Sequence, residues 1–323
     1  MNTTTTIPLT SPDLLLLETT EYRIYDTALG MFLIICTLIG TPANISALTF
    51  FRRKRNTTAL STKLYIAVCV IDSCTCIVHL PVTAALLNGR SGGLFEEKIF
   101  CVAWYTTFLY LQRLSMFLVV LITVTRTIMI AFPFFRIHKK TFMFSFIGYS
   151  TLLLIKSSLP LMFQMWYGYD RITSYCYYSG KFDGIGQNIY SILHTATVSV
   201  PGALVFTSVI VATCTLRGER TEANSARKHR ASVTIVIFTA TFLVCNLPCF
   251  LNHMVLTVVR WDSTYQGSLY YNKFMFFYSW VISEIHTSAL NALLNPILYF
   301  IRMADLREWF FNTLIVQKLF FKL

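Results

Sequence analysis

The chain has 323 residues, of which 55% are hydrophobic and only 13% are charged, and its mean hydropathy is +0.57. This composition excludes an ordinary soluble globule and indicates a protein that lies largely in lipid. The formal net charge of +12 does not indicate nucleic-acid binding, because the basic residues lie in short blocks between long apolar runs.

Intervals that are nearly free of charged residues predict seven membrane-spanning helices. Each interval exceeds the roughly 20 helical residues that a hydrocarbon core requires. The predicted spans are Thr27–Phe51, Leu64–Asn88, Ile99–Thr125, Thr141–Tyr169, Gly184–Leu216, Ala231–Val259 and Phe274–Ile301. The predicted fold is therefore an all-α membrane protein, a bundle of seven transmembrane helices.

The distribution of lysine and arginine over the connecting segments predicts the orientation. With the N-terminus outside, the inner segments hold eighteen basic residues and the outer segments hold seven. Because cytoplasmic loops carry the excess of basic residues, we expect an extracellular tail over 1–26, the seven-helix domain over 27–301 and a cytoplasmic segment over 302–323. That last segment can form a short amphipathic eighth helix on the inner leaflet. Asn2, in Asn2-Thr3-Thr4, is then an extracellular glycosylation acceptor.

Polar residues inside the spans need a physical reason, because an unpaired charge in hydrocarbon costs at least about 2.5 kcal/mol. Asp72 is the first such residue. Amide and hydroxyl side chains of other spans fall at a similar depth, namely Asn44, Ser115, Asn291 and Asn295. A buried carboxylate among such groups either takes a proton or holds a small cation such as sodium. A neutral packing network is the alternative.

The seventh span ends in Asn295-Pro296-Ile297-Leu298-Tyr299, where the proline bends the helix and leaves polar groups at the bend. With this segment the chain resembles the rhodopsin-like G-protein-coupled receptors. The matching residues follow the order and spacing of that family through all seven spans: Asn44, Asp72, Cys101, Arg126, Pro133, Pro160, Cys176, Pro201, Phe242, Cys245, Pro248, Asn295, Pro296 and Tyr299.

The resemblance implies a ligand-gated switch in the plasma membrane. An agonist would bind at the outer end of the bundle, and a G-protein helix would dock against Arg126 at the inner end. The implied activation switch comprises Arg126, Phe242, Pro248, Pro296 and Tyr299, and the implied G-protein contacts are Arg126, Pro133, Arg227 and Lys228. The resemblance also implies a disulfide between Cys101 and Cys176, which are the two cysteines that flank apolar runs.

Several positions depart from the family pattern. The family usually has an acid before its arginine, but here the triplet is Thr125-Arg126-Thr127, and Lys228 falls where many members place a second acid. We hypothesise that the resting state is only weakly restrained, because these counter-charges of the arginine are missing, and that the receptor shows basal signalling. Asn246 replaces the usual tryptophan of the sixth span, where its amide could join the Asp72 network or be a tolerated polar substitution.

For the ligand, Phe108 stands where aminergic receptors have an aspartate, and Ala289 stands where opsins have a lysine. The resemblance therefore disfavours a biogenic amine and retinal. Arg113 and Lys156 are intramembrane cations on adjoining spans, and they favour a peptide or small ligand with an anionic group. The other predicted pocket residues are Phe108, Gln112, His194, Cys249, His253 and Glu284. The alternative is that Arg113 pairs with Glu284 or with backbone carbonyls, and that Lys156 snorkels to the membrane interface or faces lipid.

Three other classes of function compete with a signalling receptor. A transporter or channel would also use intramembrane charges, but the span count is odd and no inverted repeat is evident. An enzyme is disfavoured because no metal cluster, nucleophile elbow or phosphate loop is present in the sequence. A non-signalling or decoy relative of the same fold remains the alternative, because of the altered triplet.

Overall fold

The computed structural model describes residues 12–53, 60–87, 98–132, 134, 139–162, 167–170, 175–178, 185–218, 233, 236–237, 239–247, 251 and 263–313. The helices are α1 (Pro12–Arg53), α2 (Leu60–Val78), α3 (Leu80–Leu87), α4 (Lys98–Ala131), α5 (Lys139–Met162), α6 (Ile185–Gly218), α7 (Ser263–Arg302) and α8 (Ala304–Thr313). Residues 239–247, in the predicted sixth span, are helical as well.

A short antiparallel hairpin follows α5. Its strands are β1 (Tyr167–Asp170) and β2 (Tyr175–Tyr178), and Tyr169 pairs with Cys176. The predicted helical bundle is thus present with an added hairpin that the all-α prediction omitted. The prediction that the fourth span reaches Tyr169 is wrong, because lack of charge cannot distinguish a helix from an apolar strand.

Three helical stretches of the described chain have the length and hydropathy to cross a membrane. They are Asp26–Arg53, Leu60–Leu87 and Ala103–Ala131, and Ser199–Thr215 is a shorter apolar helix. Large apolar side chains also lie exposed on the outside of the bundle, such as Leu38 and Phe144. Exposed side chains of this type suit contact with lipid chains.

The first and last long helices extend beyond the predicted spans. α1 begins at Pro12, inside the predicted extracellular tail, and α7 begins at Ser263, before the predicted start at Phe274. Proline is favoured at the first position of a helix, because an N–H at that position would have no intrahelical partner and its absence therefore costs nothing. Charge marks where a helix can leave lipid, but it does not end the helix.

The second span is broken at His79, which separates α2 from α3. Pro81 has no N–H to donate and its ring clashes with the carbonyl four residues earlier, which accounts for a break at this place. The indole N–H of Trp104 donates to the Val78 carbonyl at 2.7 Å. A side chain of α4 thus satisfies a backbone carbonyl at the break.

Small residues allow α1 to approach its neighbours closely. A Cβ on Gly40 would lie 3.2 Å from Cys76 Sγ and 3.7 Å from the Ala292 carbonyl oxygen, so α1, α2 and α7 meet there. Two apolar clusters lie on either side of this level. One surrounds Phe108 and Trp104, and the other surrounds Tyr65 and Tyr299.

Candidate functional site

Asp72 lies at the centre of a buried polar network between α2, α4 and α7. Its Oδ1 accepts a hydrogen bond from Ser115 Oγ at 2.5 Å, and its Oδ2 accepts one from Asn295 Nδ2 at 2.8 Å. Asn291 Nδ2 donates to Ser115 Oγ at 3.0 Å. All four side chains are buried. The structure therefore brings together four of the six residues predicted for this network.

Asn44 is buried beside this network and connects α1 to α7. Its Nδ2 donates to the Gly40 carbonyl at 2.9 Å and to the Ala292 carbonyl at 2.8 Å. The second bond is possible because Gly40 lets the backbones of α1 and α7 come close. Asn44 therefore positions α7 through its backbone, and within the described part of the chain its amide nitrogen bonds to these carbonyls and not to Asp72.

The structure corrects the expectation that the Asn246 amide joins the Asp72 network. Asn246 Nδ2 donates to the Phe242 carbonyl at 2.8 Å, one turn earlier on its own helix. Phe242 itself packs against Met116, Val120 and Val205 in a separate apolar cluster. An amide in a helix often bonds to its own backbone, and depth in the membrane cannot predict this choice.

Arg113 and Glu284 form an ion pair between α4 and α7. The distance from Arg113 Nη2 to Glu284 Oε1 is 2.5 Å, and the two side chains are only 1% and 2% exposed. The neighbouring Gln112 Nε2 donates to the Glu284 backbone carbonyl at 3.1 Å. The structure therefore shows the pairing that the sequence analysis gave as an alternative to an anion at Arg113.

Lys156 is buried on α5 and points toward α6. Its Nζ donates to Thr197 Oγ1 at 3.4 Å, and the Thr197 carbonyl accepts a hydrogen bond from the Tyr149 hydroxyl at 3.1 Å. The alternative that Lys156 faces lipid is thus wrong, because its side chain is 3% exposed. Thr197 was missed because a hydroxyl in an apolar run also satisfies itself on its own helix.

An aromatic group lies next to the break in the second span. Trp104 stacks on Phe108 with ring centroids 5.4 Å apart, and His79 meets Phe108 edge-on at 5.4 Å. His79 Nε2 lies 3.2 Å from Ser288 Oγ of α7. Of these residues only Phe108 was predicted for the pocket. Pro81, two residues after His79, was the signal that could have drawn attention to this level.

Arg126 lies near the end of α4 opposite Lys98, and it contacts α2. Its Nη2 donates to the Tyr65 hydroxyl, and its guanidinium carbon lies 5.6 Å from the centre of the Tyr65 ring. Tyr65 also stacks on Phe51 at 5.1 Å and meets Tyr299 edge-on at 5.0 Å. The predicted switch residues Arg126 and Tyr299 are thus connected by Tyr65, which the sequence analysis missed.

The two threonines that flank Arg126 are buried. They are uncharged, so they cannot form the ion pair with the arginine that an acid at this place would form. Thr127 Oγ1 donates to the Ser208 carbonyl of α6 at 3.4 Å. Thr125 is 6% exposed. The flanking positions thus contribute to packing between helices rather than to neutralising the arginine.

Several predicted residues lie outside the described part of the chain. For Cys101, Pro160, Cys176 and His194 only the backbone is described, and the following residues fall wholly outside: Asn2, Pro133, Arg227, Lys228, Pro248, Cys249 and His253. Both strands of the hairpin contact α4, the helix that carries Cys101. The disulfide, the glycosylation site and the loop contacts of the G protein remain predictions.

Three comparisons relate the chain to known proteins. A family model described as 7 transmembrane receptor (rhodopsin family) matches residues 43–299. The 5-hydroxytryptamine receptor 1D of Mus musculus is 29% identical over 126 residues, which cover 39% of this chain and 30% of that receptor. The same receptor of Rattus norvegicus is 31% identical over 117 residues, which cover 36% and 28%. The match thus spans less than a third of the length of these relatives.

The crystal structure of squid rhodopsin superposes on 90% of this chain and 85% of that chain, with a TM-score of 0.68 and 13% sequence identity. This likeness shows the seven-helix fold. The family model covers well over half of the chain, and its range contains the Asp72 network, the Arg113–Glu284 pair and the contact of Arg126 with Tyr65. The chain therefore belongs to the rhodopsin family of seven-transmembrane receptors.

Proposed function

We propose that the chain transduces an extracellular ligand, a peptide or a small molecule, to heterotrimeric G proteins across the plasma membrane. The N-terminus would lie outside and the C-terminus in the cytosol, as the basic residues predict. The observation that carries the proposal is the placement of three polar contacts along one helix. Along α4, Arg113 pairs with Glu284, Ser115 donates a hydrogen bond to Asp72, and Arg126 donates one to Tyr65.

The Arg113–Glu284 pair is the proposed contact point of the ligand. A ligand with an anionic group would compete with Glu284 for Arg113, and Lys156 would be a second cation for it on α5. The curated relatives are named for 5-hydroxytryptamine, an amine. Phe108, which lies stacked on Trp104, stands where the family resemblance places the amine-binding aspartate, so we propose an anionic ligand rather than an amine.

Asp72 is proposed to hold a sodium ion. The site offers two carboxylate oxygens and the Ser115 hydroxyl, and such oxygen donors suit a hard cation. Each carboxylate oxygen accepts one hydrogen bond and keeps lone pairs for a cation. The residues present therefore fit the ion. A bound cation would neutralise the carboxylate where no water screens it.

The test of coupling needs no ligand. An epitope-tagged chain is expressed in cells, its surface density is quantified, and a panel of G-protein activation sensors is read against an Arg126→Ala variant at matched density. We expect basal activation of one G protein, and we expect Arg126→Ala to abolish it. Anionic ligands are then screened on the same cells. A chain that reaches the surface and activates no sensor, with or without ligand, would contradict the proposal and identify a non-signalling relative.

A further inference from the structure

The side chain of Arg126 contacts a neutral side chain in this structure. The Tyr65 hydroxyl accepts a hydrogen bond from Arg126 Nη2, and the guanidinium also faces the Tyr65 ring. No carboxylate of the described residues lies within ion-pair distance of Arg126. The contact therefore combines a hydrogen bond to a charged donor with a cation–π interaction, and each is stronger in a site shielded from water.

Tyr65 is itself held in one position. Its side chain is 3% exposed. It stacks nearly parallel on Phe51 of α1, with an interplanar angle of 12°, and meets Tyr299 of α7 at 72°. Rings of α1 and α7 thus orient the hydroxyl of α2 toward α4. A rotamer fixed by packing makes a better hydrogen-bond acceptor, because little side-chain entropy remains to be lost.

From this geometry we infer that Tyr65 is a positioning residue that holds Arg126 in the resting conformation, in place of the carboxylate that the Thr125-Arg126-Thr127 triplet lacks. The inference rests on the proposed function, since Arg126 is there the group that a G protein contacts. A hydroxyl carries no charge, so it restrains the arginine less than an ion pair would. The expected outcome is a receptor with some basal activity that rises when the hydroxyl is removed.

The first experiment measures basal G-protein activation at matched surface density. Tyr65→Phe keeps the ring and its contacts with Phe51 and Tyr299 but loses the hydroxyl. We expect about a ten-fold rise in basal activation, the factor that loss of one hydrogen bond to a charged group gives. Thr123→Val is the matched control, because the Thr123 hydroxyl donates to the Val119 carbonyl of its own helix, one turn from Arg126. It is expected to leave basal activation unchanged.

The second experiment does not depend on G proteins. A double-mutant cycle of Tyr65→Phe and Arg126→Ala is measured as thermal midpoints of the purified receptor in detergent. If the hydroxyl acts through Arg126, then Tyr65→Phe lowers the midpoint by about 2 °C or more in the wild-type background and has no effect in the Arg126→Ala background.

The two experiments separate the inference from the proposed function. Additive midpoints in the cycle overturn the inference, whatever the receptor signals. Unchanged basal activation in Tyr65→Phe, in a receptor whose signalling Arg126→Ala abolishes, overturns it as well. If no sensor responds to any variant, the proposed function fails, and the positioning of Arg126 by Tyr65 is then supported by a coupled cycle and overturned by an additive one.

Discussion

Arg113 of α4 and Glu284 of α7 make a buried ion pair of 2.5 Å, nitrogen to oxygen. Both side chains are almost fully shielded, so neither charge can exchange its partner for water. In such a place the loss of one partner costs more than the pair contributes, because the remaining charge is left buried. The two residues therefore depend on each other.

Removal of one member of this pair is expected to destabilise the receptor. Arg113→Ala or Glu284→Ala should each cost about 3–5 kcal/mol, whereas the double variant Arg113→Met/Glu284→Leu should recover most of that loss, since it leaves no buried charge. Thermal midpoints of the purified receptor, together with surface density, measure the effect. Arg53→Ala, at an exposed position of α1, is the control. Single variants as stable as the wild type would contradict the prediction.

Sodium is expected to stabilise the receptor through Asp72. A ligand that binds only the folded state raises its stability in proportion to the logarithm of the ligand concentration. The thermal midpoint of the wild type should therefore be higher in sodium chloride than in choline chloride at equal ionic strength. Asp72→Asn keeps the shape of the side chain and should remove the difference. A difference that persists in Asp72→Asn would place the ion elsewhere, and no difference in the wild type would refute the sodium site.

The close approach at Gly40 should not tolerate a branched side chain. Gly40→Val is expected to destabilise the receptor by about 1–3 kcal/mol, because the added carbons meet Cys76 Sγ and the α7 backbone near Ala292. Gly148→Val is the matched control on α5, where a Cβ would meet nothing within 4 Å. Surface density and thermal midpoint report the cost. Equal effects of the two substitutions would mean that helix propensity, rather than crowding, sets it.

The break at His79 should depend on a donor from α4. Trp104→Phe keeps an aromatic ring against Phe108 but leaves the Val78 carbonyl without the indole N–H. The expected loss is about 1–3 kcal/mol, the cost of a buried unsatisfied polar group. Trp309→Phe on α8, where the ring packs against Phe50, should change the thermal midpoint less. A smaller loss in Trp104→Phe than in Trp309→Phe would show that the bond is dispensable.

Much of the bundle could be predicted from the sequence, because lipid forces each polar group in a span to find a partner at its own depth. Ser115, Asn291 and Asn295 were therefore predicted to lie near Asp72, and the structure places them in one hydrogen-bonded network with it. Depth alone does not predict which of several partners at the same level a polar side chain contacts. The choice of Glu284 by Arg113, and of its own backbone by Asn246, depends on how each helix is rotated.

Other features of the structure were not predicted from the sequence, for different physical reasons. A tyrosine near the end of a span is typical of an interface anchor, so Tyr65 did not stand out as a partner of Arg126. The first strand of the hairpin, β1, begins at Tyr167, inside the interval Thr141–Tyr169 in which Lys156 is the one charged residue, so the charge pattern gave no sign that the helix ends before it. The start of α1 at Pro12, inside the predicted extracellular tail 1–26, could not be predicted because charge patterns mark the limits of lipid and not those of a helix.

α4 makes side-chain hydrogen bonds to helices on several sides: to α2 through Ser115 and Arg126, to α6 through Thr127, and to α7 through Arg113. Since an α-helix turns about 100° per residue, a rotation of α4 by even one position would break all of them together. These bonds together set the rotation of α4 about its own axis relative to α2, α6 and α7. Distances measured from a spectroscopic label on α4 would therefore report where those three helices lie relative to it.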